Sequence, residues 1–183
     1  MPKKLRLYDL TITLTSPTDA PIWRRVQLPA ALTLASLHAA IQAAFGWSGA
    51  REHAFLLGDG LDETYTRLYN ILPGVGGEFI YLYDFGDGWE HRVRVENVLD
   101  VDAAVSYPHL VAGAGATPPE DSGGPLGYAQ ALLVLDDPEH EAHGVIRDLF
   151  GLGEGAAWDA SAFDAPAVQA RLDLLSRKEP RRG

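Results

Sequence analysis

The 183-residue chain contains no cysteine. That excludes a disulfide framework, a thiolate zinc site and a cysteine nucleophile. It also suits a reducing compartment, and we expect a cytoplasmic protein. No apolar run approaches the roughly 20 residues that span a membrane, and the first ten residues lack the apolar segment of a secretory signal. No membrane role is expected. Bases are scarce: 15 Lys and Arg stand against 25 Asp and Glu, for a net charge of −10. Broad, sequence-independent DNA binding needs cations to neutralise phosphates, so nucleic acid is a poor fit as partner. The deficit is uneven. From Asp100 to Asp164 there are twelve acids and one base, Arg147, whereas residues 1–25 carry Lys3, Lys4, Arg6, Arg24 and Arg25 against Asp9 and Asp19. A basic patch of Arg24 and Arg25, joined by Arg92 and Arg94, is what a nucleic acid could use; solvated strand faces explain these residues more simply.

The chain does carry ordinary globular composition, 46% apolar and 22% charged, enough for a core. Alternation over Leu5–Leu14 and Ile22–Leu28, with turn residues Ser16-Pro17-Thr18-Asp19 between them, predicts an antiparallel hairpin. Its buried face reads Arg6, Tyr8, Leu10, Ile12 and Leu14. Thr33–Phe45 reads as a helix capped by Thr33 and ended by Gly46, with Leu34, Leu37, Ile41, Ala44 and Phe45 on one stripe and His38 at its edge. A short strand is expected at Glu52–Leu57 and strong strands at Phe79–Phe85 and Trp89–Leu99. The stretch Asp62–Gly77 fits no template, and Tyr107–Gly124 reads as a long Gly/Pro-rich connection. Helices are expected at Pro125–Leu135, His140–Phe150 and Pro166–Arg177, the last capped by Asp164. Strands, helix, strands and then helices predict an α+β fold: a largely antiparallel sheet built from hairpins, one helix in the N-terminal half and a C-terminal set packed on the sheet. We expect one domain over residues 1–178 and a flexible basic tail at 179–183.

Two motifs carry the candidate chemistry. The first is Tyr83-Asp84-Phe85-Gly86-Asp87-Gly88-Trp89-Glu90-His91. Asp87-Gly88 favours a two-residue turn, which would pair Asp84 with His91 at the end of a strip formed by Ile80, Leu82, Val93 and Val95. A three-residue turn over Gly86–Gly88 is the rival; it pairs His91 with Tyr83 and builds an aromatic core face. The spacing leans to the two-residue turn. A carboxylate beside an imidazole can orient a general base or a metal ligand, or simply satisfy a polar pair at a core edge. The second motif is Thr117-Pro118-Pro119-Glu120-Asp121-Ser122-Gly123-Gly124-Pro125. Here Glu120 and Asp121 could hold a hard cation and Gly123 and Gly124 could admit a ligand to the backbone, or the acids could simply favour a helix start. His53 alternates with Phe55 and Leu57 and reads as a core-edge residue that could serve as a further ligand. His140-Glu141-Ala142-His143 is one residue short of a zinc-protease helix motif. No P-loop, GxGxxG or GxSxG occurs.

These two motifs occur together with Pro21-Ile22-Trp23-Arg24-Arg25, Leu37-His38-Ala39-Ala40-Ile41-Gln42, Phe45-Gly46-Trp47, His53 with Phe55, and Phe163-Asp164. In that order the chain resembles the plasmid pRiA4b ORF-3-like family, also described as insertion-element passenger TnpR proteins. The resemblance runs along most of the chain. It implies an α+β fold and an association with plasmids and mobile elements, but no reaction. Relatives often carry cysteines around the second motif, where this chain has Thr117 and Ser122. A serine recombinase would need an activated serine among arginines and a DNA-binding helical module, which the scattered serines and acidic C-terminal half do not provide. The expected function is a non-enzymatic accessory or binding module for a protein or small ligand, with no cofactor evident. The alternatives are a metal-dependent hydrolase converging Asp84, Asp87, His91, Glu120, Asp121 and His53 on a divalent cation, and a DNA-binding accessory of transposition.

Overall fold

The computed structural model describes residues 6–16, 18, 20–58 and 60–178. The strands are β1 (Arg6–Leu14), β2 (Ile22–Pro29), β3 (His53–Leu56), β4 (Glu78–Tyr83), β5 (Trp89–Asp100) and β6 (His109–Ala114). The helices are α1 (Leu34–Phe45), α2 (Leu68–Ile71), α3 (Gly124–Leu135), α4 (His143–Leu149) and α5 (Ala165–Lys178). All strand pairs are antiparallel, in the order β3-β4-β5-β1-β2-β6. The α+β expectation therefore holds. The basic tail at 179–183, and Pro17 and Asp19 of the first turn, lie outside the described residues.

Alternation produces a sheet with one covered face. Tyr8, Leu10, Ile12 and Leu14 of β1, Ile22, Val26 and Leu28 of β2, Phe79, Tyr81 and Tyr83 of β4, and Trp89, His91, Val93 and Val95 of β5 are buried. They share one core with Leu34, Leu37, Ile41 and Phe45 of α1, Tyr128 of α3, and Val168 and Leu172 of α5. The opposite face carries Thr11, Thr13, Trp23, Arg25, Arg92 and Arg94, half-buried or exposed. Arg6, read as part of the buried face, is exposed, whereas Leu7 and Asp9 are buried.

Local signals locate α1 well. The Thr33 hydroxyl accepts the Ser36 N–H at 3.1 Å, and Gly46 ends the helix at φ 79°. Asp164 Oδ1 accepts the Ala167 N–H at 2.9 Å at the start of α5. One unassigned segment is filled and two expectations need correction. Asp62–Gly77 holds the single turn α2. The connection Tyr107–Gly124 contains strand β6, which pairs with β2. The 83–91 hairpin uses neither proposed turn: Tyr83 pairs with Trp89 and Tyr81 with His91 across a loop over residues 84–88. Asp84 is therefore not opposite His91. Ile80 and Leu82 leave the core face to the aromatic residues, as the three-residue turn would have it, but two residues out of its register.

Arg24 is also corrected. It is not a surface cation but sits on the covered face at 3% exposure, in step with Ile22 and Val26 because strand side chains alternate. Its Nε donates to the Ala44 carbonyl at 3.1 Å, Nη1 to the Trp23 and Ala114 carbonyls at 2.8 and 2.7 Å, and Nη2 to the Gly115 carbonyl and Thr117 Oγ1 at 3.0 Å each. The guanidinium also lies 5.0 Å from the Phe45 ring centroid and 4.7 Å from that of Phe163. Burial, and then the nearby Arg171, pull its pKa down to about 10, so it remains cationic at neutral pH. We predict that Arg24→Leu costs on the order of 3–5 kcal/mol, because it strands buried acceptors. Urea denaturation measures this, and a loss below about 1 kcal/mol would show that the carbonyls need no buried cation.

Candidate functional site

Three loops meet at the β3–β4–β5 end of the sheet: residues 46–52 after α1, 84–88 between β4 and β5, and 117–124 before α3. The geometry of the middle loop begins with Asp84. Its backbone is left-handed at φ 57°, a conformation that Asp tolerates better than most residues. Its Oδ1 accepts the N–H groups of Gly86 and Asp87 at 3.0 and 3.2 Å. That turn presents Asp87 to the third loop, where Oδ2 accepts the Gly123 N–H at 3.2 Å. Gly124, at φ 69°, lies so close that a Cβ there would stand 2.0 Å from the Asp87 carbonyl oxygen. The close backbone approach expected of this Gly pair is therefore made by the chain's own hairpin.

The remaining acids are also engaged. Glu120 Oε1 accepts the Tyr83 hydroxyl at 2.7 Å and the Ser48 hydroxyl at 2.9 Å, while Oε2 accepts the Ser48 N–H at 3.0 Å. Asp121 pairs with Arg51, whose Nε lies 3.7 Å from Asp84 Oδ2. Asp121 holds the Arg51 pKa above its ordinary value, and Asp84 and Glu120 add to that. Burial, then the Glu120 hydrogen bond, raises the Tyr83 hydroxyl pKa. Beneath this clasp, Trp47 donates to the Pro118 carbonyl at 2.9 Å and stacks on Tyr83 at 5.2 Å.

His91 lies deeper, fully buried among Phe45, Trp47 and Tyr81, with ring centroids 4.8, 5.3 and 5.4 Å away. Its Nδ1 faces the Trp89 carbonyl at 3.2 Å, and Nε2 has no partner among the described residues. Desolvation pulls its pKa down to about 3. His53 is elsewhere, at the sheet edge: Nε2 donates to Glu63 Oε2 at 2.9 Å, and its ring stacks on His38 at 3.7 Å. His38 Nδ1 meets the Tyr81 hydroxyl at 2.7 Å, and that hydroxyl also accepts from Gln42 Nε2 at 2.9 Å. Burial, and then His53, lower the His38 pKa to about 4. Tyr81 thus receives from Gln42 and gives its one proton to the neutral imidazole.

The fold brings Asp84, Asp87, Glu120 and Asp121 together and leaves His91 and His53 apart from them. Among the described residues, no group of three or more His, Asp or Glu is placed to hold a metal ion. Arg25 is paired with Asp9 and Arg92 with Glu78, at 2.8 and 2.7 Å, and Arg94 is exposed. His143 begins α4 while His140 precedes it. Sequence reasoning missed Ser48, Arg51 and Tyr83 as partners of the acids, and missed the His38–Tyr81–Gln42 network. Only the latter left a signal: His38 and Gln42 are four apart on one helix face.

The combination of these loops is shared with known proteins. The family model described as plasmid pRiA4b ORF-3-like protein matches residues 6–167. The chain belongs to the plasmid pRiA4b ORF-3-like family. It is 33% identical to the uncharacterized protein y4hQ of Sinorhizobium fredii (strain NBRC 101917 / NGR234), over 175 residues that cover 88% of each chain. It also resembles the crystal structure of MM3350, a protein of unknown function from Methanosarcina mazei Go1, with a TM-score of 0.75 and 33% identity over 90% of this chain and 98% of that one.

Two predictions follow from this geometry. Gly124→Ala forces a Cβ against the Asp87 carbonyl and should cost on the order of 3 kcal/mol or more; a denaturation curve superimposable on the parent's would refute the contact. The second concerns pH. His91 and His38 have pKa values near 3 and 4, against 6.5 when unfolded. The unfolded chain therefore binds more protons in this window, and stability falls as pH drops from 6.5 towards 4. Each histidine contributes up to about 1.4 kcal/mol per pH unit. His91→Phe should remove roughly half of that slope; an unchanged slope would mean that His91 titrates normally.

Proposed function

We propose that this protein is a non-enzymatic interaction module, an accessory of the plasmid setting that its family description suggests and, beyond that description, of mobile elements. One observation carries the reading. Each acid that resembled catalytic or metal-binding equipment is bonded to the chain's own groups: Asp84 to two loop amides, Asp87 to Gly123, Glu120 to Ser48 and Tyr83, and Asp121 to Arg51. A general base or metal ligand needs free lone pairs. Each of these carboxylates commits at least one oxygen to holding three loops in register, and among the described residues no three of them are placed to share an ion, which supports a scaffold for recognition.

The charge distribution supports a protein partner over a nucleic acid. Arg24 is buried, Arg25 and Arg92 are neutralised by neighbouring acids, and the chain carries −10 overall. Phosphate neutralisation has little to draw on.

Thermal melts with added Mg²⁺, Mn²⁺ and Zn²⁺ provide the test. We expect an unchanged Tm in all three, and a lower Tm for Glu120→Gln with or without metal, corresponding to about 1–2 kcal/mol. A ligand present at about 100 times its Kd stabilises by about 2.7 kcal/mol. A metal-dependent rise of that size, lost in Glu120→Gln, would overturn the reading in favour of a metalloenzyme.

A further inference from the structure

The two outer strands of the sheet are treated differently. At the β6 edge, the Leu110 N–H donates to Gln169 Oε1 at 2.8 Å and Ala116 N–H to the Ala160 carbonyl at 2.9 Å. At the β3 edge, the Asp84 N–H bonds to the Glu52 carbonyl at 2.8 Å. Hydrogen-bonded pairs alternate in an antiparallel ladder. In the observed register, Ala54 therefore bonds to Leu82, and the main-chain groups of His53 and Phe55 point away from β4. The Phe55 carbonyl is taken by the Leu57 N–H at 2.9 Å. No described residue takes the His53 N–H, the His53 carbonyl or the Phe55 N–H. Natural edges are blunted by lysine, proline, bulges or shortness; His-Ala-Phe-Leu has only its four-residue length, and Leu56 is 56% exposed.

A cleft of about 610 Å³ lies against this edge, lined by all four residues of β3 together with Leu34, Leu61 and Glu63. Successive strand side chains point to opposite faces. A cleft touching all four residues, on both sides of the alternation, fits an opening along the strand's edge. Its volume falls within the range of ligand sites.

We infer that β3 receives an extended segment of a partner protein as an added strand. This deepens, and rests on, the interaction-module reading. The segment is apolar where it faces Phe55 and Leu61, and cationic where it faces Glu63. Glu63 Oε2 is bound to His53, and no described residue engages Oε1. Main-chain pairing supplies affinity and the alternate side chains supply selectivity. A second copy of this chain fits less well: in a β3–β3 pair each copy's 58–63 loop, which walls the cleft, would meet the other's.

The probe is a fluorescein-labelled peptide, Lys-Val-Lys-Val-Lys-Val, with blocked ends. Anisotropy should show saturable binding to the full chain, weakened at least about tenfold by N-methylation of alternate peptide amides, which leaves the protein unaltered. Glu63→Gln should weaken it several-fold. Amide exchange supplies the location: peptide should slow exchange at His53 and Phe55 at least about tenfold and leave Ala54, already paired with β4, unchanged. Absence of binding up to about 1 mM peptide, or insensitivity to N-methylation, overturns the inference. So does protection confined to other elements, although binding there would leave the interaction-module reading standing. Protection of His53 without peptide that rises with protein concentration would assign the edge to a second copy. Metal-dependent stabilisation, by contrast, removes the parent reading whatever the peptide does.

Discussion

The Arg24 guanidinium connects the pieces that must coincide for the site to exist. It bonds the last turn of α1 through Ala44, the end of β6 through Ala114, and the start of the third loop through Gly115 and Thr117. Thr117 precedes Pro118, whose carbonyl receives Trp47. One buried cation thus places both the loop that follows α1 and the loop that carries Glu120. Desolvating a cation costs several kcal/mol, and complete hydrogen bonding offsets that cost. Arginine is suited to this because its planar fork donates in several fixed directions. Phe163 covers it at a distance of 4.7 Å, and Gly113 makes that possible: a Cβ there would stand 2.5 Å from the Phe163 ring.

Above this keystone, the two motifs act as halves of one clasp. Asp84 shapes a turn, the turn offers Asp87 to Gly123, and Gly124 lets the backbones close. Glu120 and Arg51 then tie in the loop after α1. Acids, glycines and an aromatic ring at such spacing suit a catalytic centre and a structural clasp alike, because both uses demand the same properties: strong acceptors and backbone that can be approached closely. What separates them is whether the oxygens converge on a ligand or turn to the chain's own donors, as one oxygen of each acid does here.

That distinction explains what could be read from one dimension. Helix α1 was readable to its caps because Thr33 and Gly46 act within a few residues, and Asp164 was readable for the same reason. The hairpin register was not. Asp87-Gly88 carries a strong local turn signal, yet Asp84 in the left-handed region and the fit to Gly123 and Gly124 impose a longer loop. Strand β6 was hidden by its short, glycine-containing stretch, and α2 by its single turn. Arg24 next to Arg25 looked like a patch when charges were counted along the chain. Alternation places the two on opposite faces, and Arg24 keeps step with Ile22, Val26 and Leu28. The sequence showed which acids were candidates; only the fold shows what their oxygens already hold.

The acidic surplus is a different matter, because the fold does not absorb it. Arg147, the one base between Asp100 and Asp164, donates to the Gly153 and Ala156 carbonyls rather than to a carboxylate. Asp136, Asp137, Glu139, Glu141, Asp148, Glu154 and Asp159 all lie exposed on or around α4. Their mutual repulsion opposes compactness, so stability must come from the apolar core, the Arg24 bonds and the clasp. The same field reaches beyond the surface by roughly a Debye length, about 8 Å at physiological salt. It disfavours phosphate-rich partners and speeds the approach of cationic ones. A negatively charged body whose β3 edge leaves the His53 main-chain groups and the Phe55 N–H unpaired among the described residues is consistent with selecting a cationic extended segment by charge first and by main-chain pairing second.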